Sequence, residues 1–200
     1  MGFEIESVLQ ASQNDTIRAI LRALDLAGPG EAEHAERVAV YAVATGECLG
    51  LSDEDLVDLR RAALLHDSGK IAIDRDLLNK LGELTDDDIR ALQMHAAMCD
   101  QVLGDLPWLQ NALPMIRHHH ERWDGKGYPD GLSQDAIPLG ARIIGVAETF
   151  DHIAFGSYYK EPVGPDAALK ILQEECGKQF DERVVRAFLE IEPLVQPLDV

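Results

Sequence analysis

An all-α fold follows from three features of the 200-residue sequence. Apolar residues recur every three or four positions, alternating β-branched runs are nearly absent, and acids and hydroxyls cluster where helices would begin. About seven or eight helices are expected, packed as a bundle. The first spans 3–27, with Ile5, Val8, Leu9, Ile17, Ile20, Leu21 and Leu24 on a face that either caps the bundle or pairs with a second copy. Gly28-Pro29-Gly30 ends it as a hinge, separating residues 1–30 from a main domain at 31–200. Helices follow at 31–49, at 53–67 behind Ser52-Asp53-Glu54, and at 85–104 behind Thr85-Asp86-Asp87-Asp88. Four more are expected at 107–122, 138–156, 164–176 and, behind Asp181-Glu182, 181–191. Trp123 to Leu139, dense in Asp, Gly and Pro, reads as a loop.

Composition bounds the function. A chain of this size buries roughly 70% of its unfolded surface, so no crosslink is needed to fold. Lys and Arg number 18 against 36 Asp and Glu, a net charge of −18, which excludes a general DNA or RNA binder. Cys48, Cys99 and Cys176 form no CxxC pair, arguing against disulfides and a thiolate zinc site. No signal-like apolar segment or membrane-length apolar run occurs, so a cytoplasmic, non-membrane location is expected.

Seven histidines carry the chemistry, at 34, 66, 95, 118, 119, 120 and 152. His34 alone would pass as a packing residue on a helix. His66-Asp67 closes an apolar helix, where an imidazole and a carboxylate are costly to bury unless paired or bound to a cation. With Gly69 and Lys70 this reads as a metal-phosphate site, Asp67 bridging two ions and Lys70 meeting an anionic oxygen. In Arg117-His118-His119-His120-Glu121, successive helical side chains diverge by about 100°, so two neighbouring histidines can face one pocket while the third points elsewhere. Histidines with one or two carboxylates suit manganese, iron, nickel or zinc.

The order His34, His66-Asp67, His95, His119-His120 resembles the HD superfamily of metal-dependent phosphohydrolases. The run from His119-His120-Glu121 through Asp124-Gly125 to Gly127-Tyr128-Pro129 resembles the HHExxDGxGYP signature of HD-GYP domains. The resemblance extends over about residues 31–191. It implies an HD-type helical bundle and a binuclear centre, iron or manganese first and nickel, zinc or magnesium as alternatives. It also implies hydrolysis of cyclic di-GMP, or a related cyclic dinucleotide, to pGpG or GMP by metal-activated water. His34, His66, Asp67, His95, His119 and His120 fall on the family's ligand positions, which leaves His118 as the outward neighbour. Asp67 and Lys70 would then be the catalytic pair, and the Gly127-Tyr128-Pro129 loop would border the site and dock a signalling partner.

Two departures from the family pattern matter. The helix after the GYP loop usually reads Val-Ala-Asp-x-x-Asp-Ala, with the first Asp a ligand, but here it reads Val146-Ala147-Glu148-Thr149-Phe150-Asp151-His152. Glu148 is therefore the expected seventh ligand, and Asp151 stands behind the site or touches substrate. Gly30 replaces a Glu that in some members helps hold a third metal, so two ions are expected, with Glu31 the remaining option for another. Ser157 replaces a phosphate-binding Arg, while Lys160 joins Lys70 as a substrate-binding cation, making the metal-loaded pocket positive. The alternatives are a cyclic-dinucleotide sensor with slow or no turnover and an HD phosphohydrolase for another nucleotide. No sensor is expected in the thirty residues before the domain, and regulation is expected from ligand, metal or a separate partner.

Overall fold

In the computed structural model, which describes residues 2–80, 82–156 and 161–191, the chain folds into helices with no strand among the described residues. They are α1 (Gly2–Ala27), α2 (Glu31–Cys48), α3 (Asp53–Leu65), α4 (Arg75–Leu78), α5 (Asp86–Gln93), α6 (His95–Leu103), α7 (Leu113–Arg117), α8 (Leu139–Phe155), α9 (Pro165–Glu174) and α10 (Glu182–Glu190). Short 3-10 turns lie at Ser68–Ala72, Pro107–Leu109 and Gln134–Ala136.

Helix starts follow the expected chemistry. Ser52 accepts from the Asp55 N–H, Thr85 and Asp88 form a reciprocal capping box, and Asp181 accepts from the Arg183 N–H. Two expected helices are broken. The one over 85–104 divides at Met94, where His95 Nδ1 bonds the Leu92 carbonyl at 2.7 Å, the acceptor that an unbroken helix gives to the Ala96 N–H. The one over 107–122 becomes a 3-10 turn begun by Pro107 and the short α7, with Pro114 in its first turn. His118, His119 and His120 therefore lie in a turn beyond α7, and the helical 100° spacing does not apply to them.

The core joins α2, α3, α8, α9 and α10. Phe150 on α8 meets Tyr41 of α2 edge-on at 5.4 Å and Phe188 of α10 at 5.1 Å, and Leu59, Leu65, Ile143 and Ile144 fill the space beside them. Each such fully buried side chain contributes about 1.5–3 kcal/mol of transfer free energy. From α1, Ile17, Leu21 and Leu24 enter this core, whereas Val8 is 68% and Leu9 58% exposed. The capping expected of α1 thus belongs to its second half; Ile5 lies outside the residues whose side chains are described. No helix among the described residues is long and apolar enough to cross a membrane.

Candidate metal centre

Five segments deliver one cage. His34 sits in the first turn of α2, His66 caps the C-terminus of α3, Asp67 follows it, His95 opens α6, His119 and His120 leave α7, and Glu148 projects from α8. A helix leaves its last carbonyls without partners, and three of these histidines answer that need. His66 Nδ1 donates to Ala63 O at 2.7 Å, His95 Nδ1 to Leu92 O at 2.7 Å, and His119 Nδ1 to Ile116 O at 2.6 Å. His34 Nδ1 donates instead to Asp151 Oδ2 at 2.6 Å. In all four rings Nδ1 is engaged in this way and Nε2 faces inward, the arrangement by which outer partners orient histidine ligands.

The inward atoms form two adjoining sets. One ligand atom each from Asp67, His95, His119 and His120 lie within 4.8 Å of one another, and so do those of His34, His66 and Glu148. Asp67 stands between the sets, with Oδ2 3.3 Å from His66 Nε2 and Oδ1 3.3 Å from His95 Nε2. His34 Nε2, His66 Nε2, His119 Nε2 and Asp67 Oδ1 are buried without a hydrogen-bond partner among the described residues, while Asp67 Oδ2 has the Lys70 ammonium at 2.8 Å. Each such orphan costs about 1–3 kcal/mol, and divalent cations between the two sets would satisfy all of them together. Imidazole with carboxylate and no thiolate suits borderline ions of the manganese, iron, nickel and zinc type.

The electrostatics agree with a cation-holding cage. Burial alone would raise Asp67, but Lys70, His66 and His95 hold it well below the ordinary carboxylate range. Burial opposes charge on His66, yet Asp67 lifts it to about 9. Burial lowers His95, and burial with neighbouring imidazoles takes His119 and His120 far below 6.5. Burial, with Asp67 nearby, pushes Glu148 up to about 7.

Two glycines let the backbones close around the cage. A Cβ on Gly69 would lie 1.9 Å from the His95 carbonyl oxygen, and one on Gly127 would lie 2.5 Å from His120 O and 2.4 Å from the Arg122 N. Tyr128 packs its ring 4.7 Å from His120, and a cis bond joins it to Pro129. The loop is further tied by Arg117 and His118 to Asp130 and by the Asp130 N–H to Glu121 Oε1. His118 turns away from the cage, as the signature register requires. Tyr128 separates two openings. One, of about 440 Å³, exposes His119, His120, Glu148 and His152 beside Arg122 and Gln179. The other, of about 450 Å³, is mainly apolar and reaches His95, Lys70 and Glu31.

Three expectations change. Asp151 does not touch open space: it is fully buried, held by Arg37 Nε at 2.6 Å, and faces His34 from behind. Glu31 is not a spare ligand, because its Oε2 pairs with Lys70 Nζ at 2.9 Å. Lys70 also lies 2.8 Å from Asp67 Oδ2, so two carboxylates already share its charge and the surplus positive pocket counted from the sequence is smaller. Lys160 and Ser157 lie outside the described residues. The sequence reading missed Arg37 and His152. His152 stacks on His34 at 4.3 Å, its Nδ1 is 3.7 Å from Glu148 Oε1, and burial beside His34 pushes it down to about 3. The signal was available, since positions 148, 151 and 152 share one helix face.

The HD domain family model matches residues 18–184. The chain is 38% identical over 197 residues to the cyclic di-GMP phosphodiesterase response regulator RpfG of Xanthomonas campestris, covering 94% of this chain and 52% of that protein. It is 39% identical over 165 residues to the 3'3'-cGAMP-specific phosphodiesterase 3 of Vibrio cholerae, covering 82% and 36% respectively. The chain therefore spans about half or less of the length of these relatives. Among solved structures, a cyclic GMP-AMP specific phosphodiesterase of V. cholerae superposes with a TM-score of 0.66 at 24% identity, over 88% of this chain and 47% of that one. Fold, family model and the His-His-Glu to Gly-Tyr-Pro signature agree: the chain belongs to the HD domain family, in its HD-GYP branch.

Proposed function

We propose that this chain is a metal-dependent phosphodiesterase that opens a phosphodiester of cyclic di-GMP or a related cyclic dinucleotide, giving pGpG or GMP. The observation that carries the reading is the convergence of buried ligand atoms from five segments, several of them without a hydrogen-bond partner, into two adjoining sets, with Asp67 of one set 3.3 Å from His66 of the other. The relatives named for cyclic di-GMP and 3'3'-cGAMP support the substrate class. His34, His66 and Glu148 would hold one divalent ion and Asp67, His95, His119 and His120 the other, with Asp67 reaching both. Iron or manganese suits these donors. When bound, such a pair supplies Lewis acidity that activates water and screens the phosphodiester oxygens. The protein's part is orientation: Asp151 and the last-turn carbonyls fix the imidazoles, Lys70 holds Asp67 in place, and Tyr128 sets the border between two openings. The Gly127-Tyr128-Pro129 loop is packed into the site, so a signalling partner docking there would bear directly on His120.

A second reading, a cyclic-dinucleotide sensor with slow turnover, is favoured by Lys70, which Glu31 and Asp67 already engage. One assay separates the two. Protein loaded with Mn²⁺ or Fe²⁺ is expected to convert cyclic di-GMP or 3'3'-cGAMP to linear product, and His66→Ala combined with Asp67→Ala to abolish conversion. Binding without turnover in either metal selects the sensor.

A further inference from the structure

The two side chains by which α8 departs most from the family pattern, Glu148 and His152, face each other one helical turn apart, and no cation-holding role has been assigned to the second. We infer that His152 is a positioning residue for the Glu148 carboxylate and governs retention of the ion held by His34, His66 and Glu148. The inference rests on the two-ion reading above.

Glu148 is buried but loosely held. Its Oε1 lies 3.7 Å from His152 Nδ1 and 3.8 Å from His120 Nε2, and its Oε2 lies 3.9 Å from His119 Nε2, all beyond hydrogen-bond length. One methylene more than Asp adds a torsion, so this carboxylate needs an outside restraint to present one geometry to an ion. His152 supplies it. Its ring is stacked at 16° on His34, which Asp151 fixes in turn, so the Nδ1 facing Oε1 is carried on a held plane. His152 thus stacks on one donor of the three-donor set and faces another across 3.7 Å.

It also shields that set. The His152 side chain is 37% exposed against 8% for Glu148, and it lines both the 440 Å³ opening and a further cavity of about 370 Å³ that reaches His34 and Arg37. Truncating it would let water reach Oε1 from both sides. His152 stacks on His34 and faces Glu148, both in the three-donor set, so the larger effect falls on that ion and only a smaller one reaches the other through Glu148, which faces His119 and His120.

The test is to load the full chain with Mn²⁺, challenge it with graded chelator, count ions by elemental analysis and follow the electron paramagnetic resonance spectrum. Wild type is expected to hold two ions with a spin-coupled signature. In His152→Ala one ion is expected to bind roughly 10–100-fold more weakly, the range seen for outer-shell partners, leaving an isolated-ion spectrum. His152→Phe keeps the stacked ring without the nitrogen and is expected to behave as His152→Ala, whereas His152→Gln restores an N–H donor and much of the affinity. Two ions with unchanged affinity in both His152→Ala and His152→Phe, or equal loss of both ions, overturns the inference. Fewer than two ions in the wild type overturns the two-ion reading instead.

Discussion

Asp151 shows how much of this centre depends on groups that would never touch an ion. Its carboxylate accepts His34 Nδ1–H at 2.6 Å and two Arg37 N–H bonds at 2.6 and 2.9 Å, and these partners keep it ionised although burial opposes charge. An ionised acceptor strengthens the His34 bond and pushes electron density toward Nε2, the atom left for a cation. Asp151→Asn keeps the size and removes the charge. We expect roughly 10–100-fold weaker ion binding and a stability loss of about 1–3 kcal/mol, measured by calorimetric Mn²⁺ titration and by urea melts. A lowered melt with unchanged ion affinity would confine Asp151 to packing. The sequence made the histidine identities and the register at His119-His120 legible, because the signature is contiguous. It did not reveal that Asp151 backs His34 or that His152 stacks on it, since 117 residues separate the first pair and only folding brings them together.

Helices whose ends are written in side chains next to them were legible, and those shaped by distant packing were not. Ser52, Thr85 and Asp181 cap where the local pattern placed them. The break at Met94 and the early end of α7 answer to imidazoles that take backbone carbonyls, and an apolar periodicity carries no sign of that. The turn after α3 shows the same dependence on packing. Its Gly69 lies against the start of α6 so closely that a Cβ would sit 1.9 Å from His95 O and 2.8 Å from the carbonyl carbon, both backbone atoms that cannot rotate away. Gly69→Ala must therefore separate the Asp67 turn from α6. Overpacking typically costs about 1–3 kcal/mol, and contact with rigid backbone places this case at or above the upper end. At about 2–4 °C per kcal/mol for a chain of this length, a melting temperature lower by roughly 6 °C or more is expected, together with weakened ion binding in the set containing Asp67 and His95. A melt within a degree of wild type would show that the turn has slack the structure does not display.

The whole molecule carries a net charge of −18, yet its most buried polar cluster is a cage of donors facing one another. Cations should therefore stabilise the entire fold, because the cage exists only when α2, α3, α6, α7 and α8 are assembled. At a hundredfold excess over Kd, one ion adds about 2.7 kcal/mol, or roughly 5–11 °C in the melt. The pH dependence has a definite sign. Glu148 is raised by burial from 4.5 to about 7, and His66 is raised from 6.5 to about 9 by Asp67 against the pull of burial. A raised group contributes stability in full below its unfolded value and loses it as pH climbs through its folded value. His95, His119, His120 and His152 lie below 6.5 and are neutral, folded or unfolded, above that pH, so they add no slope there. Between about pH 6.5 and pH 8.5 the chelated protein should lose stability through Glu148 and His66, whereas in the loaded protein cations hold the atoms that those protons would occupy. The difference in melting temperature between Mn²⁺-loaded and chelated protein is thus expected to widen steadily across that interval. A gap that stays constant or narrows would mean that Glu148 and His66 do not hold cations, and the three-donor set would lose its place in the mechanism.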